Sequence, residues 1–151
     1  MEALNMTDSI RTHPTPREVF AKMQRLTLHQ DSDLADLYAE DGVHEWPFPL
    51  PGAPRRLEGR DQIHAFFSRV VGESPIVFDS FHDVLIHDTG DPEVIVAEYD
   101  LTGKVIATGR PFRFSYILVL KVREGRIVEL RDYLNPQAMV EAMTAPDGGN
   151  G

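Results

Sequence analysis

Asp132 is the residue in this chain whose setting most demands a chemical explanation. It sits in the run Gly125-Arg-Ile-Val-Glu-Leu-Arg-Asp-Tyr-Leu-Asn-Pro136, which reads as a strand. Side chains alternate across a strand, so Val128, Leu130, Asp132 and Leu134 share one side, and Ile127, Glu129, Arg131 and Tyr133 share the other. The first set is the expected core face. A carboxyl among aliphatic side chains must be paired, hydrogen-bonded or kept protonated, because burying a bare charge is costly. One that lines a cavity is a common form of general acid or base. Either Asp132 works in that way, or it caps the strand end or meets Arg131 or Arg113 at a rim.

Further polar residues could join it. Glu98 shares a strand face with Val94 and Val96 and is the second candidate carboxylate, its alternative being an ion pair with Arg113 or Arg110. His44 and Trp46 lie on one side of a short strand. An imidazole titrates in the range a base needs, so His44 is either a base beside Asp132 or a hydrogen-bonding group at the pocket rim. Trp46 would shape the pocket and stack on a flat ligand. Tyr116 offers a phenol to a substrate carbonyl or to a buried partner. Phe112, Phe114 and Leu118, on the same strand face as Tyr116, are expected to line the cavity with Phe66.

Other chemistries lack their residues. The chain has no cysteine, which removes thiolate nucleophiles, disulfides, zinc–cysteine sites and iron–sulfur clusters. None of the six histidines is three or four residues from another, and His82 and His87 on one strand would face opposite ways, so no metal site is expected. Gly103-Lys104 lacks the rest of a phosphate loop, so no nucleotide cofactor is expected either.

The elements that must position these residues follow from periodicity. Thr15-Pro16-Arg17-Glu18 is a capping box with proline at the first helical position, opening a helix whose stripe is Val19, Phe20, Met23 and Leu26. Asp31-Ser32-Asp33 opens a short second helix carrying Leu34, Leu37 and Tyr38, ended by Glu40-Asp41-Gly42. A brief strand from Val43 to Phe48 gives way to a loop with Pro47, Pro49, Pro51 and Pro54 that could cover a cavity mouth. Gly59-Arg-Asp begins a third helix with Ile63, Phe66, Phe67, Val70 and Val71 on one face. Four strands follow, at about 76–88, 93–101, 110–122 and 126–134, with turns at Asp88 to Pro92, Thr102-Gly103 and Glu124-Gly125. Asn135-Pro136 starts a short closing helix with Met139, Val140 and Met143.

This order predicts one α+β domain at 15–143: a cone in which three N-terminal helices cover a curved, mostly antiparallel sheet, with a short C-terminal helix. A flexible lead-in at 1–14 and a disordered tail at 144–151 flank it. The 151 residues suffice for one core. A net charge of −9 with no basic stripe argues against nucleic acid. No apolar run approaches a membrane span, and the N-terminus lacks a signal-peptide pattern, so a cytoplasmic protein is expected. On the third long strand the odd face, with Ile117 and Val119 among polar residues, is amphipathic enough for a homodimer seam.

Over residues 16–143 this order resembles the nuclear-transport-factor-2-like cone shared by ketosteroid isomerases and SnoaL-like polyketide cyclases. Glu40-Asp-Gly, Gly59-Arg-Asp, Ala97-Glu-Tyr-Asp-Leu-Thr-Gly-Lys-Val105 and Arg131-Asp-Tyr-Leu-Asn-Pro136 are similar to motifs of the phenazine-biosynthesis PhzA/PhzB family. That family has a pocket glutamate at the position of Asp132, and the cyclases tend to carry an acid there. The resemblance also implies that the His44 side of its strand faces the cavity, and it places Glu98 within a shared motif. Departures narrow the chemistry. The isomerases' base aspartate aligns with Trp46, their oxyanion-hole aspartate falls near Leu118, and the first helix has no tyrosine, so both parts of steroid isomerisation are missing. His64 lies near the place of the PhzA/PhzB pocket histidine.

The combined reading is a cofactor-independent small-molecule enzyme of secondary metabolism that moves protons on a planar carbonyl-bearing substrate. Asp132 would be its principal acid/base, with His44 and Glu98 as lesser candidates. The rival is a non-catalytic protein of the same fold, binding a small hydrophobic or aromatic ligand or serving as a dimeric scaffold.

Overall fold

A computed structural model describes residues 12–144, so most of the expected lead-in and all but the first residue of the expected tail lie outside the described residues. Helix α1 (Pro16–Leu28) opens with the capping box: Thr15 Oγ1 accepts from the Glu18 amide at 3.2 Å, and Glu18 Oε1 accepts from the Thr15 amide at 3.1 Å. Its apolar stripe buries Val19, Phe20 and Met23. After it, Asp31 caps a 3-10 helix (Ser32–Leu37), and the backbone becomes extended at Tyr38.

That transition corrects the expected second helix. Glu40-Asp41-Gly42 does not end a helix but lies inside strand β1 (Tyr38–Glu45), where Tyr38 pairs with Ile127 and Val43 already pairs with Glu129. The surplus residues bulge out, and the bulge needs glycine: a Cβ on Gly42 would stand 2.7 Å from the Ile127 carbonyl oxygen. A helix this short has little stability of its own, so pairing with the sheet prevails.

The proline-rich loop leads into β2 (Arg56–Glu58), a strand too short for periodicity to predict, and Gly59 then caps α2 (Arg60–Glu73). The remaining strands are β3 (Ile76–Asp88), β4 (Val94–Val105), β5 (Pro111–Arg123) and β6 (Arg126–Leu134), and α3 (Pro136–Thr144) closes the chain. Together they make one six-stranded sheet in the order β2-β1-β6-β5-β4-β3, antiparallel except for the β1–β6 pair. Helical segments before β3 and the short helix after β6 bear out the α+β architecture.

Two local details differ from expectation. Thr102-Gly103 is no turn; β4 runs through it, and the turn falls after Val105. Glycine is required there by packing, since the place of a Cβ is taken by the Val77 carbonyl oxygen and the Phe112 ring. On β6, Val122 of β5 pairs with Ile127 while Lys121 pairs with Glu129, so Val128 is the extra residue of a bulge. Ile127 is therefore fully buried and Val128 only half-buried, reversing the expected alternation at the strand's start. Beyond the bulge Leu130, Asp132 and Leu134 face inward as expected. The even residues of β5 from Phe112 to Val122 are buried throughout.

Candidate active site

The inner sheet face and the helices enclose a cavity of about 290 Å³. Its walls are nearly all apolar. Helix α2 shows why: of its apolar stripe only Ile63 is fully buried, while Phe66, Phe67, Val70 and Val71 keep partial exposure because they border the cavity instead of a packed neighbour. The loop residues Leu50, Ala53 and Pro54 form part of the wall, as do Leu134 and Met139.

Asp132 and His44 lie in this wall, brought together by the parallel β1–β6 pair, in which His44 stands opposite Leu130 and Asp132 follows two residues later. His44 Nε2 is 3.8 Å from Asp132 Oδ2, too long for a hydrogen bond. The side chains are only 6% and 16% exposed. Among the described residues, His44 Nε2 and Asp132 Oδ1 are the buried side-chain polar atoms with no hydrogen-bond partner. An orphaned donor or acceptor in an apolar interior is costly, and two facing the same cavity indicate where a ligand's polar group belongs.

The imidazole is held firmly on its other sides. Its Nδ1 is 2.6 Å from the hydroxyl of Tyr38, which is fully buried. The Trp46 ring lies 4.2 Å from it, centroid to centroid, and Phe67 meets it edge-on at 5.5 Å. Trp46 in turn packs on Phe66 at 5.1 Å.

On the same inner sheet face as Asp132, Tyr99 and Tyr116 are directly opposed on β4 and β5, and their rings stack at 5.1 Å with planes 15° apart. Phe81 packs on the far side of Tyr99 at 5.0 Å. Burial raises the pKa of Tyr38, Tyr99 and Tyr116, and the nearby Asp132 carboxylate raises each further, because a phenolate there would be both desolvated and repelled. These three phenols therefore keep their protons, which leaves each able to donate.

The site residues expected from sequence divide cleanly. Asp132, His44, Trp46, Tyr116, Leu118 and Phe66 all border the cavity. Glu98 does not. It lies on the outer sheet face, where His87 Nε2 is 2.6 Å from its Oε2, since on β4 the odd residues, Ile95 to Val105, point inward. The ion pair anticipated with Arg113 or Arg110 is likewise replaced by His87; Arg113 joins Asp100 and Asp83. Phe112 and Phe114 are buried but do not border the cavity; they stack on each other at 4.4 Å, and Phe78, which does border it, packs on Phe112 at 5.9 Å.

Tyr38 and Tyr99 were missed. The apolar spacing puts Tyr38 on a helix, and a strand with Glu98 inward turns its neighbour Tyr99 to the opposite face. Strict alternation of Ile95, Ala97, Tyr99 and Leu101 was the available signal for Tyr99.

The model of the SnoaL-like domain family matches residues 19–130. The chain belongs to that family. This SnoaL-like protein is 35% identical over 126 residues to YesE of Bacillus subtilis, an uncharacterized protein, covering 83% of this chain and 84% of YesE. It is 34% identical over 128 residues to an uncharacterized PhzA/B-like protein of Pseudomonas aeruginosa, covering 84% and 89% of the two chains. A crystal structure of a Bacillus subtilis protein provisionally called an isomerase superposes with a TM-score of 0.79 at 33% identity, covering 87% of this chain and 94% of that one. The nuclear-transport-factor-2-like cone and the PhzA/B kinship expected from sequence are thus both found. No helix among the described residues is long and apolar enough to cross a membrane.

Proposed function

We propose that this SnoaL-like protein is a cofactor-independent enzyme that moves a proton on a planar carbonyl-bearing small molecule, in an isomerisation, cyclisation or condensation. One observation carries the reading: the orphaned pair His44 Nε2 and Asp132 Oδ1 inside an otherwise apolar, aromatic-walled cavity. In its ionised form Asp132 can take a proton from a carbon next to a carbonyl and return it elsewhere. The stacked Tyr99–Tyr116 pair and the Trp46–Phe66 pair supply flat surfaces against which a conjugated ring system would lie.

The test is a thermal-shift screen of flat aromatic acids and polyketide-like ketones against the wild type and Asp132→Asn, followed by turnover assays on the compounds that bind. Stabilisation that depends on Asp132, with turnover, supports the reading. Equal shifts in both proteins overturn it.

A second reading, a non-catalytic binder of small aromatic ligands, is favoured by the placement of Glu98 outside, which leaves Asp132 without the second carboxylate expected beside it. Tight binding to wild type and variant without turnover would select it. We further propose a homodimer through the outer sheet face, where Val84, Leu85 and Ile117 are exposed at 40%, 53% and 43%. A monomer mass from light scattering at micromolar concentration would exclude it.

A further inference from the structure

We propose that Tyr38 is a positioning residue that holds His44 in the tautomer protonated at Nε2, making the imidazole a hydrogen-bond donor to the substrate and leaving Asp132 as the proton-transferring base. From sequence Tyr38 has no role, and His44 is either a base beside Asp132 or a hydrogen-bonding group; the geometry favours the second.

Hydrogen-bond satisfaction selects the tautomer. Tyr38 is fully buried, and its hydroxyl has a single hydrogen-bond partner among the described residues, His44 Nδ1 at 2.6 Å. If Nδ1 carried a proton it would donate to the phenol oxygen, and the phenol's own proton would then have no acceptor in an apolar interior. That objection holds equally for the neutral Nδ1–H tautomer and for the doubly protonated imidazolium. When the phenol donates instead, Nδ1 is satisfied as an acceptor and the ring's proton resides on Nε2. Burial of the ring, and after it the nearby Asp132 carboxylate, raises the Tyr38 pKa, so the phenol keeps its proton as a donor at neutral pH.

The groups around the imidazole agree. Trp46 and Phe67 pack on the ring without offering it an acceptor, and the ionisable group facing Nε2 is Asp132, whose Oδ2 is 3.8 Å away. An Nε2–H is the matching partner for a carboxylate and for a substrate oxygen that enters the cavity beside it.

This inference rests on the proton-transfer reading only in its second half. There, Asp132 Oδ1 takes the proton from the substrate carbon, the C–H electron pair moves into the new C=C bond, and the carbonyl oxygen, now an enolate, accepts from His44 Nε2–H. Return of the proton from Asp132 to another carbon completes an isomerisation. No electron acceptor or other co-reactant is required.

The experiment is long-range proton–nitrogen NMR on the uniformly ¹⁵N-labelled chain at neutral pH, with the His44 signals identified by their loss in His44→Gln. The expected wild-type pattern is a protonated-type Nε2 and an unprotonated, acceptor-type Nδ1. Tyr38→Phe should shift His44 toward a mixture of tautomers and lower kcat about tenfold or more, with little change in KM. A wild-type Nδ1–H tautomer, an imidazolium, or a His44 signature that Tyr38→Phe leaves unmoved would overturn the assignment. If Tyr38→Phe fails to fold, the wild-type spectrum alone decides between the tautomers. The expected tautomer with no turnover of any carbonyl compound would support the role of Tyr38 and remove the proton-transfer reading.

Discussion

Two histidine–carboxylate pairs lie on opposite faces of one sheet and differ in almost every respect. On the outer face His87 Nε2 and Glu98 Oε2 are 2.6 Å apart, and each side chain is 47% exposed. On the inner face His44 Nε2 and Asp132 Oδ2 are 3.8 Å apart and nearly dry, with one atom of each residue unpartnered. The shorter contact is the less consequential. Water competes for both members of an exposed pair and salt screens them, so such pairs contribute about 0–1 kcal/mol. The open inner pair has one hydrogen-bonding atom of each residue left for whatever enters the cavity, and a ligand's polar group can fill that place.

The largest expected break between the two comes from removing each acid in turn. Asp132→Asn, which keeps the shape, should lower turnover by roughly 10² to 10⁴-fold while the protein remains folded. The steady-state rate on any substrate found in the binding screen checks this, and a loss of less than about tenfold would count against Asp132 as the proton-transferring group.

A second contrast appears at alkaline pH. The inner face holds three phenols whose pKa is raised in the folded state, Tyr38, Tyr99 and Tyr116. Below the unfolded-chain value of about 10, both states keep these protons and stability is unaffected. Above it the unfolded chain loses protons that the folded chain retains, so stability falls, by about 1.4 kcal/mol per pH unit for each such phenol. The melting temperature should therefore hold through mildly alkaline pH and then drop steeply, and the drop should be shallower in Tyr99→Phe. A drop of equal steepness in that variant would show that the phenols are not its cause.

Smaller still is the stability consequence of the orphaned acid. Asp132→Leu should raise stability by on the order of 1 kcal/mol, since it replaces an unsatisfied buried carboxyl with an apolar group, and should abolish ligand-induced thermal shifts. On a domain of this size that gain raises the melting temperature by about 2–4 °C. A fall in melting temperature would mean that Asp132 has structural partners in solution.

The smallest effect belongs to the outer pair: Glu98→Gln should change stability by less than about 1 kcal/mol and leave turnover unchanged. A strong loss of activity would return Glu98 to the site.

Legibility in the sequence tracked how local the deciding interactions are. The capping box at Thr15 and the alternation of β5 from Phe112 to Val122 were readable because neighbouring residues determine them. The Tyr38 strand was not, because its partner Ile127 lies 89 residues away in a parallel pairing, and the 3-10 turn before it carries helix-like apolar spacing. The misplacement of Glu98 had a different origin. A strand face with Val94 and Val96 looks apolar in isolation, and only the opposing row of Ile95, Ala97, Tyr99 and Leu101, with β3 and β5 alongside, shows which side is enclosed. Phe112 and Phe114 share a face with Tyr116 and Leu118, yet they stack on each other and Phe78 packs on Phe112, so that Phe78 and Leu101, not they, border the cavity at that level.

By itself the sequence determined that an acid stands among apolar residues near the end of the last strand, that no thiol chemistry is open to this chain, and that helices precede a meander of long strands. Those are consequences of residue type and short-range period. The tertiary structure alone decided which histidine meets that acid, which phenols surround it, and which carboxylate is left outside. Each depends on strand register and bulges at Gly42 and Val128, and a shift of one residue turns a side chain from the cavity to the solvent.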